Sequence, residues 1–375
     1  MRDVLDDLMA AWRAGRTAGL ATVVHAFKSA PRLPGAAMLV DDDGVVSGSV
    51  SGGCVEGDVY ENAREVIASG RPLLQRYGFT DDDAFAVGLT CGGIIDVFIE
   101  QVSRQSFPEL GEVAEAIESG EPVAVATVAE HTDPAWVGRR VVVFGDRSLG
   151  SLGSQRADHA VIDDVRGLLA AGRNRMLTYG TDGQRMETGM RVFASTFAPP
   201  PRMLVFGAID FAAALARQGS FLGYRVTVCD ARSVFATKAR FPDADEVVVD
   251  WPHRYLQAEA DAGRIDERTV IAVLTHDPKF DVPVLQVALP LQVAYIGAMG
   301  SRLTHQDRLA RLREHDVSEE QLAKLSSPIG LDLGARTPEE TAVSIAAEII
   351  AEQWGGGGDP LTELEGRIHH DDLVG

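Results

Sequence analysis

The sequence predicts an α/β protein in two parts, an N-terminal α+β module followed by a doubly wound parallel sheet. Before residue 197, strand-like segments alternate apolar and polar residues and include the hairpin signal Asp43-Gly44, which is typical of antiparallel pairing. After residue 202, apolar strand-like segments alternate with helical ones, as in parallel sheets with crossover helices. Between them, Pro199-Pro200-Pro201 can continue neither a helix nor a central strand.

These boundaries predict four segments. A chain of 375 residues is too long for one ordinary core, so more than one domain is expected. The tetraglycine run over residues 355–358 ends a long helical pattern and begins a polar tail. The predicted segments are residues 1–196 (α+β module), 197–202 (proline linker), 203–355 (parallel-sheet domain) and 356–375 (tail).

Charge and cysteine content exclude several classes of protein. With 45% hydrophobic and 24% charged residues, the chain is expected to be globular, without a membrane-spanning run. A net charge of −20 argues against a nucleic acid or an anionic membrane as partner. Three cysteines argue against a disulfide framework and for a reducing cytoplasm. An anionic small ligand would need local donors, such as helix N-termini and a few arginines.

The N-terminal module is predicted to be an internal duplication. The strand pattern of residues 21–25 recurs at residues 126–129, and each is followed by a turn, a strand, a Gly-rich stretch and a helix. Each half then contains a Tyr-Gly pair, Tyr77-Gly78 and Tyr179-Gly180, and a closing strand. Both cysteines of the module fall in the first copy. We therefore expect sulfur chemistry in the first copy and a scaffold in the second.

Two mirrored clusters, Ser51-Gly52-Gly53-Cys54 and Cys91-Gly92-Gly93, are the main candidate site of this module. A glycine pair permits positive φ and lets backbone approach a ligand. Cys54 precedes a predicted helix over residues 55–68, whose N-terminus favours a thiolate. Exposed N–H groups and a low-pKa sulfur suit a soft metal, a persulfide or an anionic cofactor. The alternative is a small buried cysteine in a tight turn.

The second domain resembles a nucleotide-binding fold with an altered first turn. The three glycine positions of the G-x-G-x-x-G fingerprint fall at Gly207, Ile209 and Ala212. Ile209 should obstruct the approach of a pyrophosphate, whereas Asp230 suits a ribose 2′-hydroxyl. A dinucleotide site and an inherited fold with a weakened site are both possible. The predicted strands cover residues 203–206, 225–229, 246–249, 270–274 and 293–296, and predicted helices cover residues 211–221 and 306–314.

Three further segments of this domain carry candidate ligand contacts. The turn over residues 297–302 follows a strand, precedes a helix and is suited to a phosphate or carboxylate; a plain βα turn is the alternative. His276 ends a strand, where it could bind an anion, move a proton or make a structural hydrogen bond. Arg336 precedes Thr337, the predicted N-cap of the last helix. The candidates in these segments are His276, Gly297, Gly300, Ser301, Arg302 and Arg336.

In this order, the motifs resemble those of the XdhC/CoxI family over residues 10–354. Its N-terminal module is matched by Ser29-Ala30-Pro31-Arg32 with Pro34-Gly35, by residues 48–56 and by Cys91-Gly92-Gly93. Its C-terminal Rossmann module is matched by Leu274-Thr275-His276-Asp277, Tyr295-Ile296-Gly297 with Gly300-Ser301-Arg302, and residues 328–340.

The resemblance implies an accessory protein for molybdenum hydroxylases such as xanthine dehydrogenase and carbon monoxide dehydrogenase. Such a protein is not itself the dehydrogenase. It binds molybdenum cofactor transiently, assists its sulfuration with a cysteine desulfurase and delivers it to the apoenzyme. We expect a cytoplasmic homodimer in which Cys54 and Cys91 contact molybdenum through the cofactor or carry sulfur. The implied cofactor cradle comprises Arg32, Gly52, Gly53, Cys54, Cys91, Gly92 and Gly93.

One departure from the family leaves alternatives open. The family's first Rossmann turn usually reads Gly-Ala-Gly-His, whereas this chain has Gly207-Ala208-Ile209-Asp210. We therefore do not expect NAD(P) to bind, although Gly207 and Asp230 remain candidates for cofactor binding. The alternatives are an NAD(P)-dependent oxidoreductase that uses the Asp230 side, and a regulatory scaffold with vestigial sites. Ile209 counts against the first, and the cysteine pair counts against the second.

Overall fold

The computed structural model describes residues 1–27, 32–78 and 93–364. The chain divides into two compact units, with the division between Pro199 and Pro200. The first unit contains two antiparallel five-stranded sheets with helices, and the second contains a six-stranded parallel sheet. The predicted α/β fold class is therefore confirmed. No helix of the described chain has the length and apolar character needed to cross a membrane.

The first unit repeats one order of elements twice, as predicted. Its sheets have the equivalent strand orders β3-β2-β1-β5-β4 and β8-β7-β6-β10-β9. The first copy consists of α1 (Leu5–Arg13), β1 (Ala18–Phe27), β2 (Ala37–Val40), β3 (Val46–Gly48), α2 (Glu56–Ser69), β4 (Leu73–Tyr77) and β5 (Ile94–Val102). The second consists of α3 (Leu110–Ser119), β6 (Val123–His131), β7 (Arg140–Phe144), β8 (Ser148–Ser151), α4 (Gln155–Ala171), β9 (Arg175–Gly180) and β10 (Gly189–Phe197).

The two sheets pack face to face through residues at equivalent positions. Both β1 and β6 carry a bulge at their seventh residue, Val24 in one and Ala129 in the other. These two residues lie in one buried cluster with Phe98 of β5 and Phe193 of β10. Equivalent bulges that meet in a shared core indicate a pseudo-symmetric pair, because a bulge changes the local twist of a strand in the same way in both copies.

Helix α2 covers the outer face of the first sheet and places its N-terminus beside the end of β4. Its apolar residues Val59, Ala63 and Val66 are buried against that sheet. The Tyr77 hydroxyl, at the last residue of β4, donates to Asp58 in the first turn of the helix at 2.7 Å. The segment before α2 and the C-terminal end of β4 therefore lie at the same edge of the sheet.

The second unit has the Rossmann strand order. Its sheet runs β13-β12-β11-β14-β15-β16, with all neighbours parallel. Helices α5 and α10 pack on one face, and α6, α7 and α8 pack on the other. The strands are β11 (Arg202–Phe206), β12 (Arg225–Cys229), β13 (Glu246–Val248), β14 (Val270–Val273), β15 (Tyr295–Ala298) and β16 (Leu325–Ser326). The helices are α5 (Asp210–Phe221), α6 (Pro252–Asp261), α7 (Pro278–Ala288), α8 (Arg302–Glu314), α9 (Glu319–Leu322) and α10 (Pro338–Trp354).

Two elements in this unit differ from the sequence prediction by more than one residue. The strand predicted at residues 293–296 lies at Tyr295–Ala298. The helix predicted from residue 306 begins at Arg302, because the Ser301 side chain accepts the N–H of Thr304 at 3.1 Å and caps the helix earlier. Periodicity alone did not locate this cap.

Candidate functional site

The turn before α2 is organised by the carboxylate of Glu56. This carboxylate accepts the backbone N–H groups of Ser51 at 2.8 Å, Gly52 at 2.9 Å and Gly53 at 2.7 Å. It also accepts the hydroxyls of Ser49 and Ser51. Two longer backbone donors, at 3.2 and 3.3 Å, are Val50 and Val55. One side chain thus collects most of the hydrogen-bond donors of the turn.

These donors keep Glu56 ionised. Burial on its own would raise the pKa of this carboxyl, but the hydrogen bonds from Ser51, Ser49 and the backbone outweigh it and lower the pKa to about 2. The sequence predicted that N–H groups of the Gly-Gly turn would be free for an anionic ligand. That expectation was wrong for the N–H groups of Gly52 and Gly53, because a carboxylate of the chain itself occupies them.

The two glycines shape the turn and leave space outside it. Gly52 has φ +81° and Gly53 has φ +118°, values that residues other than glycine rarely adopt. A Cβ atom at either position would meet no atom of the described chain within 4 Å. Among the described residues, backbone conformation rather than close contact therefore explains the glycine pair.

Cys54 lies between this open turn and the core. Its N–H donates to the Ser51 hydroxyl at 3.0 Å, and α2 begins two residues later, one residue beyond the prediction. The residue is half-buried and packs against the apolar cluster beneath α2. The ionised Glu56 carboxylate offsets the positive helix N-terminus that was expected to favour a thiolate at Cys54.

Cys91 and Gly92 lie outside the described residues, and so do residues 28–31. The flanks of residues 79–92 lie together, since a Cβ on Gly78 would come within 2.7 Å of the Gly93 carbonyl oxygen. Gly93 is buried directly before β5, at the edge where β4 ends beside α2. That Cys54 and Cys91 share one wall of a site stays a prediction. Arg32 is described, and its Nη2 donates to Asp3 at 3.0 Å.

A charged cluster that the sequence did not predict lies at the end of β4, on the face of the first sheet opposite α2. Buried Asp96 accepts Nε and Nη2 of Arg76 at 2.7 and 3.0 Å and Nη2 of Arg191 at 3.3 Å. Burial would raise the pKa of Asp96, but the hydrogen bonds and charges of both arginines lower it below its usual value. Sequence periodicity could not reveal this cluster, because its members lie on β4, β5 and β10.

The equivalent edge of the second copy is closed by its own chain. Gly183 packs so tightly against the start of α4 that a Cβ would lie 2.5 Å from the Ala157 Cα. The Ser154 hydroxyl donates to Asp182, and the His131 Nε2 lies 2.9 Å from the Thr181 carbonyl oxygen. That the second copy is a scaffold stays a prediction.

In the second unit, the Asp230 carboxylate already accepts hydrogen bonds from neighbouring residues of the chain. It accepts the N–H of Ala208 at 2.7 Å and the guanidinium Nε and Nη2 of Arg232 at 2.9 and 2.7 Å. Burial opposes ionisation of Asp230, but these donors lower its pKa below the usual value. Gly207 has φ +112° and abuts Thr275, while Ile209 packs against the core. A ribose would have to displace Arg232 or Ala208.

The other predicted residues of this unit have mostly structural contacts. Ser301 caps α8 and Arg302 is exposed at its start. A Cβ on Gly297 would come within 2.6 Å of Ile329, and one on Gly300 within 3.0 Å of Thr304. Close packing explains both glycines.

His276 and Arg336 are both exposed. The Arg336 N–H donates to Glu340 at 2.8 Å, next to the predicted capping box of α10, which is confirmed. Beside His276, buried Asp281 accepts the Thr275 hydroxyl and the Arg308 guanidinium, the latter at 2.9 Å. This pair ties the end of β14 to α7 and α8.

Comparison with known proteins identifies the family. The sequence profile of the XdhC and CoxI family matches residues 11–78 and 116–180, one segment in each copy. The profile of the XdhC Rossmann domain matches residues 203–349. The chain belongs to the XdhC and CoxI family. The resemblance inferred from the motifs is confirmed.

Relatives and a solved structure match along most of the chain. A probable xanthine dehydrogenase subunit of Bacillus subtilis is 27% identical, covering 88% of this chain and 92% of the relative. The molybdenum cofactor insertion chaperone PaoD of Escherichia coli is 29% identical, covering 93% of this chain and 88% of PaoD. A crystal structure described as a xanthine dehydrogenase from Bacillus halodurans is 26% identical, with a TM-score of 0.67 over 93% of this chain and 95% of that one.

The role of Glu56 predicts a pH-dependent stability difference. Because its folded pKa of about 2 lies below the usual 4.5, its stabilising contribution is present above pH 4.5 and is lost as the pH falls toward 2. We expect Glu56→Gln to lower the free energy of unfolding at pH 7 by about 1–2 kcal/mol. Denaturant unfolding is measured between pH 7 and pH 2. The difference in unfolding free energy between Glu56→Gln and wild type should become smaller as the pH falls.

The matched control is Asp158→Asn in the second copy. Asp158 accepts the Ser151 hydroxyl at 2.8 Å and the Leu152 N–H at 2.7 Å, fewer donors than Glu56 collects, so a smaller loss is expected. The assigned role of Glu56 would be contradicted if Glu56→Gln and wild type had equal unfolding free energies at pH 7. It would also be contradicted if their difference stayed constant down to pH 2.

Proposed function

We propose that this protein is an accessory factor that binds molybdenum cofactor and serves a molybdenum hydroxylase of the xanthine dehydrogenase type. The observation that carries the proposal is the turn over residues 49–56 in the first copy. It presents a cysteine beside two exposed glycines. The similarity to a molybdenum cofactor insertion chaperone along most of both chains supports the same role.

The residues of this turn fit the metal end of the cofactor. A cysteine sulfur is a soft donor, which suits molybdenum held by dithiolene sulfur. A Cβ atom at Gly52 or Gly53 would meet no atom of the described residues within 4 Å, so those residues leave space beside the turn for a bulky ligand. Glu56 holds the backbone in position without occupying that space, so a ligand can approach a fixed surface.

We extend the proposal to individual residues, partners, oligomeric state and location. Cys54, and Cys91 beyond the described residues, are assigned to contact molybdenum through the cofactor or to carry sulfur during sulfuration. The proposed partners are the hydroxylase apoenzyme and a cysteine desulfurase, and the protein is proposed to act as a homodimer in the cytoplasm. Other cofactor contacts stay predictions: Arg32, Gly92, Gly93, Gly207, Asp230, His276, Gly297, Gly300, Ser301, Arg302 and Arg336.

Neither alternative function gains support from the contacts of the site. An NAD(P)-dependent oxidoreductase needs the Asp230 carboxylate, which Arg232 and Ala208 engage. A scaffold with vestigial sites does not explain why the first copy carries a cysteine beside two exposed glycines. The cofactor-binding role explains that arrangement.

Removal of the Cys54 sulfur should weaken cofactor binding. We expect Cys54→Ala to lose at least tenfold in affinity, about 1.4 kcal/mol. The control is Cys229→Ala, because Cys229 is 1% exposed and burial raises the pKa of its thiol to about 12, so that it has no access to a ligand. The measurement is molybdenum and pterin content after anaerobic gel filtration of cofactor-loaded protein.

Equal retention by wild type and both variants would remove Cys54 from the site. If wild type retains nothing under these conditions, the cofactor-binding proposal fails and the scaffold alternative gains weight. Circular dichroism of each variant verifies that differences in retention do not come from unfolding.

We also expect NAD(H) to bind weakly or not at all. Ile209 occupies the position where a pyrophosphate needs bare backbone, and the ribose-binding carboxylate is engaged. Isothermal titration calorimetry with NADH should show no binding with a dissociation constant of about 1 μM or less. That constant corresponds to a binding free energy of about −8 kcal/mol. Micromolar binding would restore the oxidoreductase alternative.

A further inference from the structure

The two copies begin the helix after the turn at different positions. Gly48 and Gly150 are equivalent, because a Cβ on either would press against the carbonyl oxygen of the first residue of the neighbouring strand, β2 or β7. Both have positive φ, +75° and +77°. Counted from these glycines, Glu56 corresponds to Asp158, and both carboxylates accept N–H groups of their own turn. Helix α4 nevertheless begins at Gln155, which corresponds to residue 53, whereas α2 begins at residue 56.

The order of serine and glycine is reversed between the two turns. Ser51-Gly52 of the first copy corresponds to Gly153-Ser154 of the second. The Ser154 hydroxyl accepts the Ala157 N–H at 3.1 Å and caps α4. Arg156, the counterpart of Cys54, therefore lies in the first turn of α4. The second copy thus includes in its helix the position that carries the cysteine in the first copy.

Ser51 holds the corresponding residues of the first copy outside the helix. Ser51 is 3% exposed, and its hydroxyl accepts the N–H groups of Cys54 at 3.0 Å and Val55 at 3.1 Å. The same hydroxyl donates to the Glu56 carboxylate. The positive φ of Gly52 interrupts the helical path between these groups. Because the hydroxyl binds the N–H of Cys54 itself, it fixes the backbone that carries the thiol.

Ser49 serves the turn in a different way. Its hydroxyl donates to Glu56 at 2.7 Å and accepts the Gly52 N–H at 2.9 Å. Its counterpart Ser151 donates to Asp158 at 2.8 Å, so a serine at this position supports the turn in both copies. At the position of Ser51 the second copy has a glycine, which supplies no hydroxyl. The contact with the cysteine N–H is therefore a feature of the first copy.

We propose that Ser51 is a positioning residue that keeps Cys54 outside helix α2 and holds its thiol where it meets the cofactor. This assignment rests on the proposed function, which places Cys54 at the metal end of the cofactor. Ser51 acts on the cofactor only through Cys54.

The test compares Ser51→Ala and Ser51→Thr with Ser49→Ala. Ser49→Ala is the matched control, because each alanine removes one hydroxyl donor to Glu56 and one acceptor of backbone N–H groups in the same turn. The rate at which iodoacetamide alkylates Cys54 is measured on cofactor-free protein by mass spectrometry of the peptide. Molybdenum and pterin retention is measured after anaerobic gel filtration of cofactor-loaded protein. Denaturation midpoints check the fold.

In Ser51→Ala the turn should open more often and expose the half-buried Cys54. We expect Cys54 to be alkylated about tenfold faster and cofactor retention to fall about tenfold, because two backbone N–H groups lose their acceptor. Ser51→Thr keeps the hydroxyl and should restore both properties. Ser49→Ala should remain within about twofold of wild type in both.

Unchanged alkylation of Cys54 in Ser51→Ala would overturn the positioning role. An equal effect of Ser49→Ala, or no recovery in Ser51→Thr, would also overturn it, because general loosening of the turn would then explain the result. Faster alkylation with unchanged retention would overturn the link to the cofactor. If wild type retains no cofactor but Ser51→Ala still changes the alkylation rate, the proposed function fails and the positioning of Cys54 by Ser51 stands.

Discussion

The candidate site depends on the capture of backbone N–H groups by Glu56. A turn with two successive glycines at positive φ would otherwise expose several N–H groups and sample many conformations, because glycine loses more freedom on folding than any other residue. One carboxylate with five backbone N–H donors and two hydroxyl donors holds this turn together. Cys54, whose N–H donates to the Ser51 hydroxyl, is thereby placed through its backbone.

The duplication accounts for the pairing of Asp96 with Arg191 near this turn. Asp96 and Arg191 are the third residues of β5 and β10, so they occupy equivalent positions in the two copies. They carry opposite charges and pair across the contact between the sheets. The copies have diverged in the turn before the helix: the turn before α2 contains Gly52-Gly53-Cys54, whereas the turn before α4 contains Leu152-Gly153-Ser154.

Features set by local periodicity could be predicted from the sequence, and features set by distant partners could not. The repeated order of elements, the parallel sheet and the capping box at Thr337 and Glu340 all follow from short patterns. The family followed from the order of long motifs. The occupation of Asp230 by Arg232 and the pairing of Arg76 with Asp96 require knowledge of which side chains meet across strands or turns. Glu56 had a signal, a glutamate three residues after the second glycine, but its side chain folds back onto the turn.

In the proposed function, the turn over residues 49–56 of the first copy binds molybdenum cofactor. A crystal structure of the protein loaded anaerobically with the cofactor tests it most directly, with anomalous scattering at the molybdenum edge to locate the metal. We expect an anomalous peak beside the turn over residues 49–56, within contact distance of the Cys54 sulfur. A peak in the crevice at the carboxyl ends of β11 and β14, or at the edge of the second copy, would contradict it.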